Sequence, residues 1–536
     1  MKSKVFALIT AAALVITAAC GASPAETPEP AQPVGSASSE KDYSEHYVIS
    51  YAMDTTNLDV NSDDFAKYWN EKFNIEYEIV PLTSENSSEM IRIWVSAGDL
   101  PDVARWGFNF SEYTDWVDQG LLKELPDGWQ TQWPNIAQSQ VDTTIAAELA
   151  ERVGGYFTLG RPIYSTNKPI PALISHMGLW YRMDWAKAVG AEIKDWYTID
   201  EVLEIARRIK AQDPGGVGDA LVPIDVPTGN LPEIFMANAL HYGTSPPSLP
   251  FYQDENGVFQ WGLEEPAVLD GLKRWRAAYD EGLLHPEFYT LPVGRANEAD
   301  LNTAGIAAMN IAAGMATVGS RQANFIRQNL NLDPNEALSY AFMVGDDGVY
   351  RAREVSNWGG CDLYSPDIDP GKFERFLDML DYSCTDEAQI LIRMGFEDID
   401  WERLPDGSAV SLLPEDSQVA QKYFSVQPLY TGMLVMPDNF QLVNPTLPQI
   451  WRDKARNQYL QKIELTNEEN FARIDPDVYF YSSEAWNRAQ MNFSEEMASI
   501  VLKGTDVEAA YNAWVAEKKP LVQPLLDELT EMKKNQ

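Results

Sequence analysis

The chain has 536 residues, of which 80 are acidic and 41 basic, and its formal charge of -39 excludes a nucleic-acid partner, because the summed field repels a polyphosphate backbone. Anionic lipid is poorly attracted to the body of the chain for the same reason. An apolar fraction of 45% is that of a folded protein, and the length exceeds what one core accommodates, so at least two lobes are expected.

Lys2 and Lys4 precede an apolar run from Val5 to Ile16, followed by Thr17, Ala18, Ala19 and Cys20. A charged start, a short apolar core and a small-residue cleavage site make residues 1–19 an export signal. A cysteine just after the cut is where bacteria attach lipid, so the mature chain is expected to begin at a palmitate-bearing Cys20 on the outer face of the cell membrane. Residues 21–41, GASPAETPEPAQPVGSASSEK, hold almost nothing that a core can bury, which makes 20–44 a lipidated cysteine and a flexible tether. Beyond the signal no apolar run reaches the roughly 18 residues that a spanning helix needs, so the lipid is expected to be the only hold on the membrane.

Residues 47–53, YVISYAM, read as a strand. Ser62 is expected to cap a helix through Phe65, Trp69 and Phe73, leading into a second strand, IEYEIV, at 75–80. The apolar spacing and the length of the connection predict a parallel β-α-β unit. A second helix over about 88–97 feeds Gly98, Asp99, Leu100, Pro101 and a strand DVARW, so the first lobe is expected to be a helix-covered parallel sheet. Ligands in such sheets sit beyond the carboxyl ends of the strands, which points to Trp106, beside Arg105, as the first candidate contact. Further on, Thr198 and Glu201 form a capping box ahead of a helix to about Ala211, stopped by Asp213 and Pro214 before a glycine-rich loop.

With Cys20 lipidated, Cys361 and Cys384 remain, and they are either one disulfide or two buried thiols; a core this large favours the thiols. No CxxC spacing occurs, and His46, His176, His241 and His285 are scattered, so neither a metal centre nor a histidine-based triad has local support.

The segment YRMDWAKAVG, then TIDE opening a helix, then DP and a glycine-rich loop resembles the extracellular solute-binding lipoproteins of bacterial ABC sugar importers, particularly the long alginate-binding and LplA-like members. GDLPDV at 98–103, GIAAM at 305–309, RMGFEDIDW at 393–401 and VLKGTDVEAAYNAWVAEKK at 501–519 follow in the order of that family. The resemblance implies an α/β, two-lobed periplasmic-binding-protein-like fold, each lobe a helix-covered sheet, joined by hinge strands. On that frame 45–175 is the first part of lobe 1, 176–355 the main part of lobe 2, 356–430 a return to lobe 1, and 431–536 a C-terminal helical segment completing the lobes. The crossings are expected near Pro171–Leu179 and Glu354–Asp362.

The function implied is capture of an oligosaccharide between the lobes and its delivery to the transmembrane subunits of an ABC permease, by a monomer that breaks no bond and needs no cofactor. Sugars ask for aromatic platforms beside planar polar groups. Accordingly Arg105, Trp106, Trp180, Tyr181, Arg182, Asn357, Trp358, Asp362, Trp401 and Glu402 are the expected ligand contacts, and Arg161 joins Arg105 and Arg182 in leaving an acidic saccharide open. Alginate-binding relatives carry a calcium loop at the DP position, whereas Asp213-Pro-Gly-Gly-Val-Gly-Asp219-Ala220 offers too few carboxylates for the about six to eight oxygens calcium takes, so no metal is expected. The rival readings are a tethered glycoside hydrolase, using Asp99 with Asp102 or Glu264 with Glu265, and a surface glycan-binding protein that feeds no transporter; a peptide ligand is a further variant.

Overall fold

The computed structural model describes residues 41–536 other than 55–58, 84–85, 108, 142–143, 163–176, 244–249, 292–304, 313–325, 327–328, 355–357, 404, 406–408, 414–418, 427–448 and 505. The signal, Cys20 and most of the tether lie outside the described residues. Met1–Glu45 and His46–Gln536 are separate compact units. In the first, residues 41–45 form no helix or strand, and the Ser44 amide donates to Asp42 Oδ1 at 2.9 Å.

The second unit holds two five-stranded sheets. Sheet 1 has the order β2-β1-β3-β13-β4, built from β1 (Tyr47–Asp54), β2 (Ile75–Leu82), β3 (Val103–Trp106), β4 (Thr158–Pro162) and β13 (Trp358–Tyr364). Sheet 2 has the order β6-β11-β5-β10-β7, from β5 (Gly178–Arg182), β6 (Trp196–Tyr197), β7 (Val222–Ile224), β10 (Ala307–Ala312) and β11 (Leu338–Met343). The hairpin β8 (Phe251–Gln253) and β9 (Phe259–Trp261) packs beside the last helix, Val507–Lys534.

The opening β-α-β unit is parallel, with Tyr47 opposite Ile75 and Asp54 opposite Leu82. Its helix, Asp64–Phe73, buries Phe65, Ala66, Trp69 and Phe73, one face of the 3.6-residue period. The cap is Asp63, one residue later than expected: its carboxylate accepts from the Ala66 amide at 2.8 Å, while Ser62 donates to Asp59 instead. Asn74 ends the helix in the left-handed region at φ 50°, where the short polar side chain is tolerated. The capping box of Thr198 and Glu201 is present, and the helix Ile199–Gln212 ends at Asp213.

Sheet 1 departs from the all-parallel expectation because β13 runs antiparallel to both β3 and β4. Strand β13 arrives from lobe 2 at the end of the sheet where β1 and β3 finish, so it can only run backwards through it. Gly359 and Gly360 sit where its register with β4 shifts between Trp358 and Cys361, the place in a strand where glycine fits a bulge.

Each sheet has its own core. Ala52, Leu82, Ile91, Val95, Ala104 and Leu363 pack together on sheet 1. A larger cluster joins sheet 2 to the helices Ile199–Gln212 and Pro266–Asp280 and to the C-terminal helices, through residues such as Tyr181, Trp275, Phe288, Met497 and Leu529. Cys361 and Cys384 are thiols and not a disulfide; Cys361 is fully buried, and burial pushes its thiol up to about 12. Among the described residues no helix is long and apolar enough to cross a membrane.

Candidate functional site

In sheet 1, β1, β2, β3 and β4 all finish at one edge, and β13 begins there. In sheet 2, β6, β7, β10 and β11 finish at one edge and β5 begins there, with Ala312 opposite Gly178 and Ala341 opposite Leu179. The chain leaves the first edge at Pro162 and enters the second at Gly178, and it returns between Arg353 on β12 (Ala352–Arg353) and Trp358. The strands thus change sheet from carboxyl edge to carboxyl edge, the place where open α/β sheets hold ligands. The expected crossing at Pro171–Leu179 falls largely on residues 163–176, outside the described residues.

The backbone brings four of the expected residues together at the sheet 1 edge. Trp106 pairs with Cys361, Arg105 with Asp362, and Trp358 with Pro162. Arg105 Nη1 donates to Asp362 Oδ1 at 2.9 Å, and the Tyr51 hydroxyl donates to the same oxygen at 3.1 Å. Burial alone would lower the Arg105 guanidinium, but the Asp362 carboxylate outweighs it and pushes its pKa up; burial and the same carboxylate push the Tyr51 hydroxyl well above its usual range. Asp362 is 2% exposed and the Arg105 side chain 17%, so a buried carboxylate fixes a largely buried guanidinium near the sheet end.

The other expected contacts are placed elsewhere. Trp180 is 1% exposed within sheet 2, its ring 5.0 Å from Tyr340. Tyr181 accepts from the Tyr197 hydroxyl at 3.3 Å in the lobe 2 core. Arg182, at the far end of β5 from the edge, makes a bidentate pair with Asp184 and stacks on Trp185 at 4.3 Å. Trp401 is buried with Met394 and Ala409 and donates from Nε1 to the Gly395 carbonyl at 3.2 Å. Glu402 is exposed on the hairpin of β14 (Trp401–Arg403) and β15 (Ala409–Ser411). Asn357 lies outside the described residues.

The carboxylates named for hydrolysis have structural partners. Asp102 sits at the opposite, amino end of β3, where its Oδ2 accepts from the Ser50 amide at 2.8 Å, the Ser50 hydroxyl at 2.9 Å and Lys372 Nζ at 2.9 Å. Asp99 is exposed in the turn before that strand. Glu265 accepts from the Leu240 amide at 3.2 Å and sits 2.7 Å from His241, and Glu264 pairs with Lys519. At the glycine-rich loop, the two Asp213 oxygens accept from the Val217 amide at 2.9 Å and the Gly218 amide at 2.8 Å, so the one acid at the head of the loop faces backbone donors.

A third connection between the lobes was not expected from the sequence. Strand β12 pairs in parallel with β16 (Phe471–Ala472), and the chain continues into a short helix, Pro476–Tyr479. Val478 is buried in the lobe 2 core, while Phe480, two residues on, packs in the lobe 1 core with its ring 4.8 Å from Phe110. Just before them, Asp477 pairs with Arg152 of the lobe 1 helix Thr144–Val153 and with Lys533 near the end of the last helix, each at 2.5 Å. The available signal was the dense aromatic run PDVYFY, which local periodicity does not assign to either core.

The profile of the family described as bacterial extracellular solute-binding protein matches residues 59–358, more than half of the chain. No curated protein sequence matches it. Among solved structures it is similar in fold to the alginate-binding protein AlgQ2 without calcium ion, at 15% identity and TM-score 0.64 over 91% of this chain and 98% of that one. It is similar also to an extracellular solute-binding protein from Bifidobacterium longum subsp. infantis, at 13% and 0.63 over 91% and 97%. A third is FusA, an ABC-transporter substrate binding protein of S. pneumoniae in complex with kestose, at 14% and 0.62 over 91% and 99%. The chain therefore belongs to the bacterial extracellular solute-binding proteins and has their two-lobed α/β fold.

Proposed function

We propose that the chain binds an oligosaccharide between the carboxyl edges of its two sheets and hands it to the transmembrane subunits of an ABC permease. The observation that carries this is the convergence of Arg105, Trp106, Trp358 and Asp362, from strands far apart in sequence, at the edge from which the lobes are joined. A sugar offers C–H faces to flat rings and hydroxyls to planar donors, and the strand positions at this edge belong to two tryptophans and to an arginine held by a buried carboxylate. The similar structures named for alginate binding and for kestose add weight on the side of carbohydrate.

Closure of the lobes about the segments Ala352–Trp358 and Phe471–Phe480 would bury the ligand, and the closed shape is the one offered to the permease. The protein acts as a monomer held at the outer membrane face by lipid on Cys20. Binding is its whole activity. Isothermal titration of the mature body, begun near Lys41, against malto-, xylo-, manno-, fructo- and uronic oligosaccharides from disaccharide to hexasaccharide tests this directly. Micromolar or tighter binding with no product released is expected; silence across the panel, or release of reducing sugar, overturns the reading.

A further inference from the structure

Lobe 2 carries a groove of about 780 Å³ that no part of the site at the sheet 1 edge uses. Its volume is within the ~300–1,000 Å³ of small-molecule sites. Three separate stretches form it: the loop at Thr228 after β7, the turn at Tyr289, and one side of the helix Phe493–Leu502 with its flanking Asn492 and Lys503.

Its chemistry is specific. Tyr289 is 49% exposed, yet its ring meets the fully buried Phe288 edge-on at 5.6 Å, and Phe288 is locked in turn between Trp275 and Tyr279. The groove thus has a flat aromatic surface anchored in the core, with its own face left to solvent. Around it stand the Thr228 and Ser499 hydroxyls and the Asn492 amide, with one acid, Glu495, and one base, Lys503. The two charges cancel, so the lining suits an uncharged, polyhydroxylated group with an apolar face better than an anion or a cation.

Its position links it to the edge of sheet 2. Thr228 follows β7 at its carboxyl end, and the neighbouring Asn230 donates from Nδ2 to the Ile311 carbonyl near the carboxyl end of β10 at 3.1 Å. A ligand lying across that edge has this groove beside it. We infer that the groove is a subsite for uncharged sugar residues of a longer chain whose other end lies at the interlobe edge. The inference rests on the carbohydrate reading above and extends it to chain length: the protein prefers oligosaccharides long enough to occupy both places.

The test uses the mature body and two variants, Tyr289→Ala, which removes the platform, and Ser499→Trp, which fills the groove; both are kept only if their melting temperatures match the parent. Each is titrated with the disaccharide and the hexasaccharide of whichever series, malto-, xylo-, manno- or fructo-, the parent binds most tightly. Loss of one stacking platform corresponds to a roughly tenfold weaker hexasaccharide Kd, with disaccharide binding unchanged. Equal loss at both lengths, or no loss at either, overturns the subsite while leaving the carbohydrate reading intact. A parent that binds only the uronic series overturns the subsite for uncharged residues and leaves the carbohydrate reading, whereas a parent that binds none of the five series overturns both, before any variant is compared.

Discussion

Asp362 and Arg105 face each other across β13 and β3, 257 residues apart in the chain, with a guanidinium nitrogen 2.9 Å from a carboxylate oxygen that also accepts from Tyr51. Removing one member of such a buried pair leaves the other charged and uncompensated, at a cost of ~3–5 kcal/mol, whereas replacing both by apolar residues is often neutral. Asp362→Asn or Arg105→Met should each lose stability on that scale in urea unfolding, and Arg105→Met with Asp362→Leu should recover much of it. Additive losses in the double variant would show that the pair is not the unit.

Trp106 and Trp358 occupy the edge where the lobes are joined, whereas Trp401 is 2% exposed within its own small core. Trp106→Ala and Trp358→Ala should weaken saccharide binding by ~1–3 kcal/mol, the worth of one stacked ring, with little loss of stability. Trp401→Ala should do the reverse, costing ~3–5 kcal/mol of folding stability and leaving affinity unchanged in whatever fraction folds. Calorimetric titration beside thermal melts separates the two behaviours, and unchanged affinity in both edge variants would rule out the proposed site.

Calcium should leave the protein indifferent. The carboxylate at the head of the loop after Gln212 closes that loop by accepting from the Val217 and Gly218 amides, and calcium asks for about six to eight oxygens. Among the described residues no group of three or more His, Cys, Asp or Glu side chains is placed to hold a metal ion. Melting temperatures with millimolar calcium and with a chelator should coincide; a calcium-dependent rise would overturn this.

What the sequence made legible was local. The strand YVISYAM, the helix through Phe65, Trp69 and Phe73, and the Thr198–Glu201 cap carry their signals within a few residues of where they act, and they stand where the spacing puts them. Cap choice between Ser62 and Asp63 was decided by one residue of backbone conformation, which composition does not encode. The reversed β13 was not legible, since its direction follows from where the chain comes back from lobe 2. For the same reason the groove, assembled from residues near 228, 289 and 499, has no sequence signature, and aromatic abundance near Trp180 and Trp401 did not distinguish a core ring from a surface one.

Asp477 joins the segment Phe471–Phe480 to both lobes, and its acid dependence follows from its partners. Burial alone would raise its pKa, but Lys533, Arg152 and Gln536 outweigh that and hold the carboxyl at about 2, against an ordinary 3.8. A depressed carboxyl stabilises the fold above its unfolded value, and that contribution is lost as pH falls from 3.8 to about 2. After screening at this partly exposed site it amounts to ~1 kcal/mol. Asp477→Asn should therefore be less stable than the parent at neutral pH, with the gap closing in strong acid and shrinking in high salt. A gap that is constant with pH would mean that shape, not charge, holds the segment Phe471–Phe480.

Lys462, on the helix Gln449–Glu464, is the opposite case, a cation placed where its charge is a liability. It is 3% exposed, near the rings of Tyr350 and Phe342 and 3.5 Å from the Met177 carbonyl just before β5. Burial, aided by Arg353 and only partly opposed by Glu233, lowers its ammonium from 10.5 to about 8. Below pH 8 both folded and unfolded chains carry the proton, so the full penalty applies, up to ~3 kcal/mol for a shift of this size. Between pH 8 and 10.5 the unfolded chain holds more proton than the folded one, so the parent gains stability as pH rises and the penalty is relieved. Lys462→Met keeps the length and apolar volume without the charge, and its loss of the contacts to Tyr350, Phe342 and Met177 offsets part of the gain. The variant should equal or exceed the parent in stability at neutral pH, with its relative advantage disappearing toward pH 10.5. Denaturant melts of the two proteins across that range measure the difference, and a variant several kcal/mol weaker at neutral pH would show that the contacts to Met177 and the rings outweigh the desolvation of the ammonium.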